Sequence, residues 1–386
     1  MAASDVASRA MVPSAAPPIS TFLMLNTFET GGSERQFVML AQNLSRPKFQ
    51  LHLGCIGHFG ALAGQFDHVQ EFPMGGSLYG WQSLCARLNL RTHLQNKAVQ
   101  VAHAFDFYAN LTLIPAAWLA RVPVIIGSQR QLGDLLTPAQ FRAQAAAFRL
   151  CDAVVCNSEA AAERLAEAGL HRKNLVVIGN SLSAEAFQPA VPAIARQPGV
   201  LRVGMVARMN HAYKNHAGFL RIAAAIHAQM EQVEFVLAGD GPLRAELEQQ
   251  AAALGLGKHV LFLGDRRDIP SVLASVDVAV LTSDSESLSN AILEAMACGL
   301  PVVAYNVGGN AELVNAERGT LVPAGNEQEF AAALLRLLRD SGLRDQLGAN
   351  ARRFAEENFS LDRVCQRYEQ LYTDLLERKR GRKTKA

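Results

Sequence analysis

Short apolar runs alternate with longer stretches whose apolar positions recur at three- and four-residue spacing, and the alternation repeats along most of the chain. Short, nearly continuous apolar runs bounded by turn formers mark strands buried on both faces, and the wider spacing marks helices with one apolar side. Repeated strand–helix units predict an α/β protein on parallel sheets. In the first half the pattern predicts strands at 21–26, 50–56, 99–104, 122–126, 153–157 and 175–178, with helices at 34–44, 81–95, 109–120, 138–150 and 159–168. Residues 188–200 break the rhythm with three prolines and no period, which reads as a linker. A second series follows, with strands at 201–207, 234–238, 260–263, 277–281, 301–304 and around Leu321, each trailed by a helical stretch. Residues 360–378 form a long amphipathic helix with Val364, Tyr368, Leu371 and Leu375 on one face; periodicity leaves open which domain it meets. The expected layout is a flexible leader at 1–20, domains at 21–187 and 201–359, the long helix, and a basic tail at 379–386. Two layered domains joined by a linker leave a cleft that shields a ligand from water when they close.

The most informative segment runs Glu286-Ser-Leu-Ser-Asn-Ala-Ile-Leu-Glu294, then Ala-Met-Ala-Cys-Gly-Leu-Pro301-Val-Val-Ala304. Leu293, Met296 and Ala297 give a helical apolar stripe, Gly299 suits the helix C-terminus, and Pro301 opens a buried strand. The helix is therefore predicted to start near Ser289, with the amides of Leu288 to Ala291 pointing outward unpaired. An anion fits such an end, with Glu286 ahead of it and Glu294 about a turn behind. A helix with a solvated acid at each end is the plainer alternative. Position argues against it: the loop follows the apolar run 277–281, at the carboxyl end of a strand, where open α/β sheets bind ligands.

Arg208 and Lys214 flank the end of the first strand of the second series, a fork and a mobile point charge suited to a diphosphate. Gly31-Gly32-Ser33-Glu34 follows the first strand and permits close approach of a ligand to the backbone. It lacks the dinucleotide fingerprint, and Gly239-Asp-Gly-Pro-Leu-Arg244 has Arg at its sixth position, so a nicotinamide-linked oxidoreductase is an inferior reading. His103 ends an apolar run and is expected to face the cleft. No His, Cys or Asp spacing reads as a metal site, since Asp284-Ser-Glu286 alone lacks further ligands.

Composition narrows the classes. The chain of 386 residues is 49% hydrophobic and long enough for two domains. Of a formal net charge of +2, six positive charges sit in the last nine residues, so the remainder is mildly acidic. No basic stripe with interleaved aromatics points to nucleic acid. The basic end is either a solvated tail or a tether to anionic lipid headgroups. Six scattered cysteines without a Cys-x-x-Cys pair read as reduced core residues of a cytoplasmic protein, associated with a membrane only peripherally.

Taken together, Glu286-x7-Glu294, the Glu294–Ala304 block, Gly308-Gly309-x-x-Glu312, Gly31-Gly32-Ser33-Glu34, Arg208 with Lys214-Asn215, Gly239-Asp-Gly-Pro242 and Asn157-Ser158 resemble the retaining glycosyltransferases of family 4. The resemblance spans about residues 21–378 and implies the GT-B architecture, two facing Rossmann-like domains with parallel sheets around an interdomain cleft. It implies a hexosyltransferase working on a nucleotide-diphosphate sugar and a glycan or lipid-linked acceptor, in polysaccharide or glycolipid synthesis. Arg208 and Lys214 would hold the donor diphosphate, Glu294 the ribose hydroxyls, and Glu286 the hexose. The amides of Leu288, Ser289 and Asn290 would cap the distal phosphate, and Arg266 and Arg267 would meet the nucleobase. Gly31 and Gly32 would approach the donor phosphates, His103 would face the acceptor, and neither metal nor cofactor is implied. The usual Glu-Gly-Phe-Pro reads Glu286-Ser-Leu-Ser here. Where many relatives carry a His, this chain has Ser128, Gln129 or Arg130, so an anionic or phosphate-linked acceptor near Arg130 is an expectation. Two other readings stay open: a phosphorylase or nucleotide-sugar epimerase of the same architecture, and a non-catalytic nucleotide-sugar-binding module.

Overall fold

The computed structural model describes residues 17–29, 31–76 and 78–383. Most of the expected leader, 1–16, and the last three residues of the expected tail lie outside the described residues. The first domain runs β1 (Ile19–Leu25), α1 (Gly32–Asn43), β2 (Phe49–Cys55), β3 (Gln70–Glu71), α2 (Trp81–Asn96), β4 (Val101–Ala104), α3 (Phe107–Leu119), β5 (Val124–Gln129), α4 (Pro138–Phe148), β6 (Ala153–Cys156), α5 (Glu159–Glu167) and β7 (Leu175–Val177). The second runs β8 (Leu201–Val206), α6 (His216–His227), β9 (Val233–Ala238), α7 (Arg244–Ala253), β10 (Val260–Gly264), α8 (Ile269–Leu273), β11 (Val278–Leu281), α9 (Asn290–Ala297), β12 (Val302–Tyr305), α10 (Asn310–Leu313) and β13 (Gly319–Val322). Helices α11 (Glu327–Arg339), α12 (Ser341–Phe359) and α13 (Leu361–Lys383) close the chain.

The strands form two sheets, ordered β3-β2-β1-β4-β5-β6-β7 and β10-β9-β8-β11-β12-β13, and every strand pair is parallel. Each sheet reverses its winding direction at its first strand, β1 or β8, and ligand crevices open at the carboxyl ends of such switch points.

Three elements depart from the sequence pattern. Strand β5 begins two residues later than expected and runs on through Gly127, Ser128 and Gln129. Pro123 supplies no ladder donor and follows a turn in which Arg121 takes a φ of 57°. The polar end of the strand is buried because Asn110 accepts from the Ser128 amide and donates to its carbonyl. Strand β3 was not expected, being two exposed residues with no apolar pattern. The long helix does not stop at residue 378 but continues to Lys383, since basic residues suit the negative end of the helix dipole.

That helix belongs to the first domain. Val364, Cys365, Tyr368, Tyr372, Leu375 and Leu376 enter one apolar cluster with Phe37, Phe49, Val101 and Phe105. The crossing is fixed by backbone hydrogen bonds from Leu182 N to Phe359 O (2.8 Å) and from Leu361 N to Leu182 O (2.9 Å). Leu376 is 2% exposed, so Leu376→Ala should lower stability by about 2–5 kcal/mol in urea unfolding. The exposed neighbour Glu377 should tolerate Ala to within about 0.5 kcal/mol. Equal effects at the two positions would show that the helix does not pack as described.

Candidate functional site

Residues that follow β1, β5, β6, β8, β9 and β11 line one cleft between the two domains, of about 650 Å³. This falls within the range of about 300–1,000 Å³ typical of small-molecule sites.

One wall is the start of α9. Ser289 caps the helix by accepting from Ile292 N (3.3 Å). The amides of Leu288, Ser289, Asn290 and Ala291 have no protein acceptor among the described residues, and the helix dipole adds positive potential there. The loop is pressed into place from below. Gly309 N donates to Glu286 O (3.1 Å), and a Cβ at Gly308 or Gly309 would stand 1.8 Å from the carbonyl oxygen of Glu286 or Ser287 respectively. Only glycines allow that approach.

The two acids each face a cation. Lys214 Nζ lies 2.6 Å from Glu286 Oε1. Lys214 is aimed by the residue after it: Asn215 takes left-handed φ 55°, ψ 42° and caps α6, while Thr282 Oγ1 donates to its carbonyl (2.9 Å). Glu294 lies 3.8 Å from Arg35 Nη1, on α1 of the opposite domain, with 24% of its side chain exposed. Burial pushes the Glu294 carboxyl up to about 7, against a smaller opposing pull from Arg35. Arg208 is exposed and lines the same cleft. Arg266 pairs with Asp268 (2.6 Å) in the loop after β10, beside Arg267.

The cleft thus brings together Gly31, Gly32, Arg130, Arg208, Lys214, Arg266, Arg267, Glu286, Leu288, Ser289, Asn290 and Glu294. Gly32 approaches Asn290 of the other domain, where a Cβ would stand 2.7 Å from Asn290 Nδ2. His103 is the exception and corrects the expectation that it faces the acceptor. Strand alternation puts Val101, His103 and Phe105 on the sheet face covered by α13. The ring is fully buried, with Nδ1 2.7 Å from Tyr372 Oη and Nε2 2.7 Å from Ser128 Oγ. Burial, helped by Arg130, holds it neutral well below the usual histidine range. It lies behind the cleft wall.

Sequence reasoning missed the polar contacts across the cleft. Asn180 Nδ2 donates to Leu288 O (3.2 Å) and Asn290 Oδ1 (2.7 Å). Ser287 Oγ donates to Asn157 Oδ1 (2.5 Å) and lies 3.1 Å from Ser158 Oγ. Glu312 accepts from Glu159 N (2.9 Å) and Ala160 N (3.1 Å), so an acid of the second domain caps α5 of the first. Asn180 follows the strand β7, a location that flags it in hindsight; Arg35 lies in the first turn of α1, three residues after Gly32.

The description Glycosyl transferases group 1 matches residues 200–340, and Glycosyltransferase Family 4 matches residues 30–185. EpsF of Bacillus subtilis, which carries a glycosyltransferase name, is 30% identical over 308 residues, 72% of this chain and 77% of that protein. The chain belongs to the group 1 glycosyl transferases. LpsE of Rhizobium meliloti, a lipopolysaccharide core biosynthesis glycosyltransferase, is 29% identical over 261 residues, 66% of this chain and 74% of its own. Anabaena Alr3699/HepE in complex with UDP has the same fold, with a TM-score of 0.81 at 23% identity over 92% of this chain and 100% of that one. The glycosyltransferase fold is thus GT-B, two Rossmann-like domains around the cleft.

In this glycosyltransferase the raised Glu294 carboxyl makes stability fall with pH. A carboxyl that holds its proton more tightly when folded favours the folded state most below its unfolded value of 4.5 and loses that advantage as pH rises towards 7. Glu294→Gln should therefore gain about 1–3 kcal/mol on the parent between pH 4.5 and 8. Urea unfolding at the two pH values checks this, and a constant difference would mean that the carboxyl titrates normally.

Proposed function

We propose that this glycosyltransferase moves a hexose from a nucleotide-diphosphate sugar to a glycan or lipid-linked acceptor, with retention of anomeric configuration, in cell-surface polysaccharide or glycolipid synthesis. The observation that carries the reading is the meeting of Lys214, Glu286 and the unpaired amides of α9 at one point of the cleft. Arg208 and Lys214 hold the diphosphate, and the amides of Leu288, Ser289 and Asn290 cap its distal phosphate. Glu294 accepts from ribose hydroxyls, Glu286 from the hexose, and the 266–267 loop meets the base. Gly31 and Gly32 bring the first domain close to the donor. Attack comes from the face that the nucleotide leaves: the acceptor oxygen bonds to the anomeric carbon, the bond to the phosphate breaks, and the acceptor's proton passes to the departing diphosphate.

Two relatives guide the choice of donor. The Escherichia coli UDP-Gal:alpha-D-GlcNAc-diphosphoundecaprenol alpha-1,3-galactosyltransferase is 32% identical over 211 residues, 52% of this chain and 54% of its own. Anabaena HepE was crystallised with UDP-glucose. A uridine nucleotide is therefore the first donor to test. No helix among the described residues is long and apolar enough to cross a membrane. Lys379 is held 2.5 Å from Asp152, and Arg378 with the basic residues further on supplies positive charge for contact with an anionic membrane face. That contact would place the protein at the cytoplasmic side.

UDP should raise the melting temperature more than GDP or ADP does. Lys214→Ala should lower kcat about 10²- to 10³-fold, the scale of losing one charge-stabilising group, with its unfolding midpoint close to the parent's. Unchanged turnover removes Lys214 from the site. The anomeric proton coupling of the product, read by NMR, tests retention. Sugar conversion without any acceptor would instead identify an epimerase.

A further inference from the structure

Six carboxylates on the walls of the cleft are Glu34, Asp106, Asp134, Asp265, Glu286 and Glu294. Four of them are engaged: Asp106 caps α3 through Ala109 N (2.9 Å), Asp134 accepts from Ser285 (2.5 Å), Glu286 holds Lys214, and Glu294 faces Arg35. No carboxylate lies within ion-pair distance of Arg130 among the described residues. Arg130 is half-buried rather than a free surface cation, and neutral groups fix it in place. Its Nη2 donates to Asn180 Oδ1 (2.6 Å), its Nη1 reaches Tyr368 Oη (3.4 Å), and its guanidinium lies 5.7 Å from the Phe105 ring centre. These contacts use two of the five N–H donors. A planar cation held rigidly, with donors to spare and no counter-charge, matches a carboxylate or phosphate in geometry and sign.

Its place decides which substrate it serves. Arg130 directly follows β5 of the first domain, and the Asn180 that orients it also donates to Asn290 and Leu288 at the head of α9. Arg130 therefore belongs to the first-domain wall of the cleft, one side chain away from the head of α9, where a second substrate would have to meet the donor. We propose that Arg130 forms an oxyanion subsite for the acceptor, so that this enzyme glycosylates a molecule carrying a carboxylate or phosphate close to the hydroxyl that reacts. The inference rests on the glycosyltransfer reading above.

The test uses UDP-saturated protein, whose diphosphate site is filled, titrated with malonate in one arm and methyl phosphate in the other. At millimolar concentrations one of these should raise the melting temperature of the parent by a few degrees, and Arg130→Gln should lose the shift. The arm that responds distinguishes a carboxylate-bearing acceptor from a phosphate-bearing one. In turnover, a p-nitrophenyl glucuronide or glucose 1-phosphate should exceed p-nitrophenyl glucoside about tenfold or more in kcat/KM. Arg130→Gln should erase that preference through acceptor KM, while donor KM stays near the parent value. Arg130→Lys, which keeps the charge and loses the fork, should retain part of it. An equal anion shift in the parent and Arg130→Gln, or an unchanged acidic-to-neutral ratio, overturns the proposal. A rise in donor KM alone also overturns it, by assigning Arg130 to the nucleotide. Failure of UDP itself to stabilise the parent would overturn the underlying donor reading first, and the two results cannot be confused.

Discussion

At the head of α9, the four backbone amides of Leu288 to Ala291 find no protein acceptor among the described residues. A bare helix N-terminus is a partial positive charge directed into the cleft, and the rest of the site is arranged to keep it open yet rigid. Ser289 satisfies the next amide in line, so the helix does not fray. Gly308 and Gly309 let the backbone press against the carbonyls of Glu286 and Ser287, which fixes the loop from behind without a side chain in the way. Contacts from the first domain through Asn157, Ser158 and Asn180 hold it from the front. An anion binding there meets donors already oriented, with little reorganisation needed when charge grows on a leaving group.

Charges of the cleft meet in pairs. Lys214 rests on Glu286, and Arg35 faces Glu294 from the other domain. Two partly buried charges are costly unless paired; Lys214 and Glu286 meet at 2.6 Å, whereas Arg35 at 3.8 Å offsets only part of the burial of Glu294. Under the proposed function a donor would exchange these partners, its phosphates competing for Lys214 and its hydroxyls for the two carboxylates. The raised Glu294 carboxyl follows from burial that penalises the charge more than Arg35 stabilises it.

What was legible in the sequence follows from the range over which each feature is encoded. The parallel architecture rests on period and on strand length, both local, and nearly all the strands appear within two or three residues of their expected places. Glu286, Ser289 and Glu294 lie on one short helix and its entry, so their spacing alone fixed their relation. His103 was misplaced because an apolar run buried on both faces hides which way each residue points; the observed alternation with Val101 and Phe105 sends it towards α13. Asn180 and Arg35 were invisible for a different reason. Their roles arise only when two domains meet, and neither carries a local pattern beyond its position after a strand or a glycine turn.

The C-terminal helix joins stability to the site. Tyr372 and Tyr368 lie one turn apart on α13, the first hydroxyl meeting His103 behind the cleft wall and the second meeting Arg130 on it. His103 in turn meets Ser128, and Arg130 meets Asn180, which reaches the head of α9. A continuous polar path therefore runs from a helix near the chain end, through the floor of the first domain, to the loop of the second domain that faces the donor. Because α13 follows directly on α12 of the second domain and packs on the first, it links the two domains beside this path. The helix is thus more than a clasp: it contacts Arg130, the half-buried cleft arginine with no acidic partner among the described residues, and so ties that side chain to the packing of the first domain.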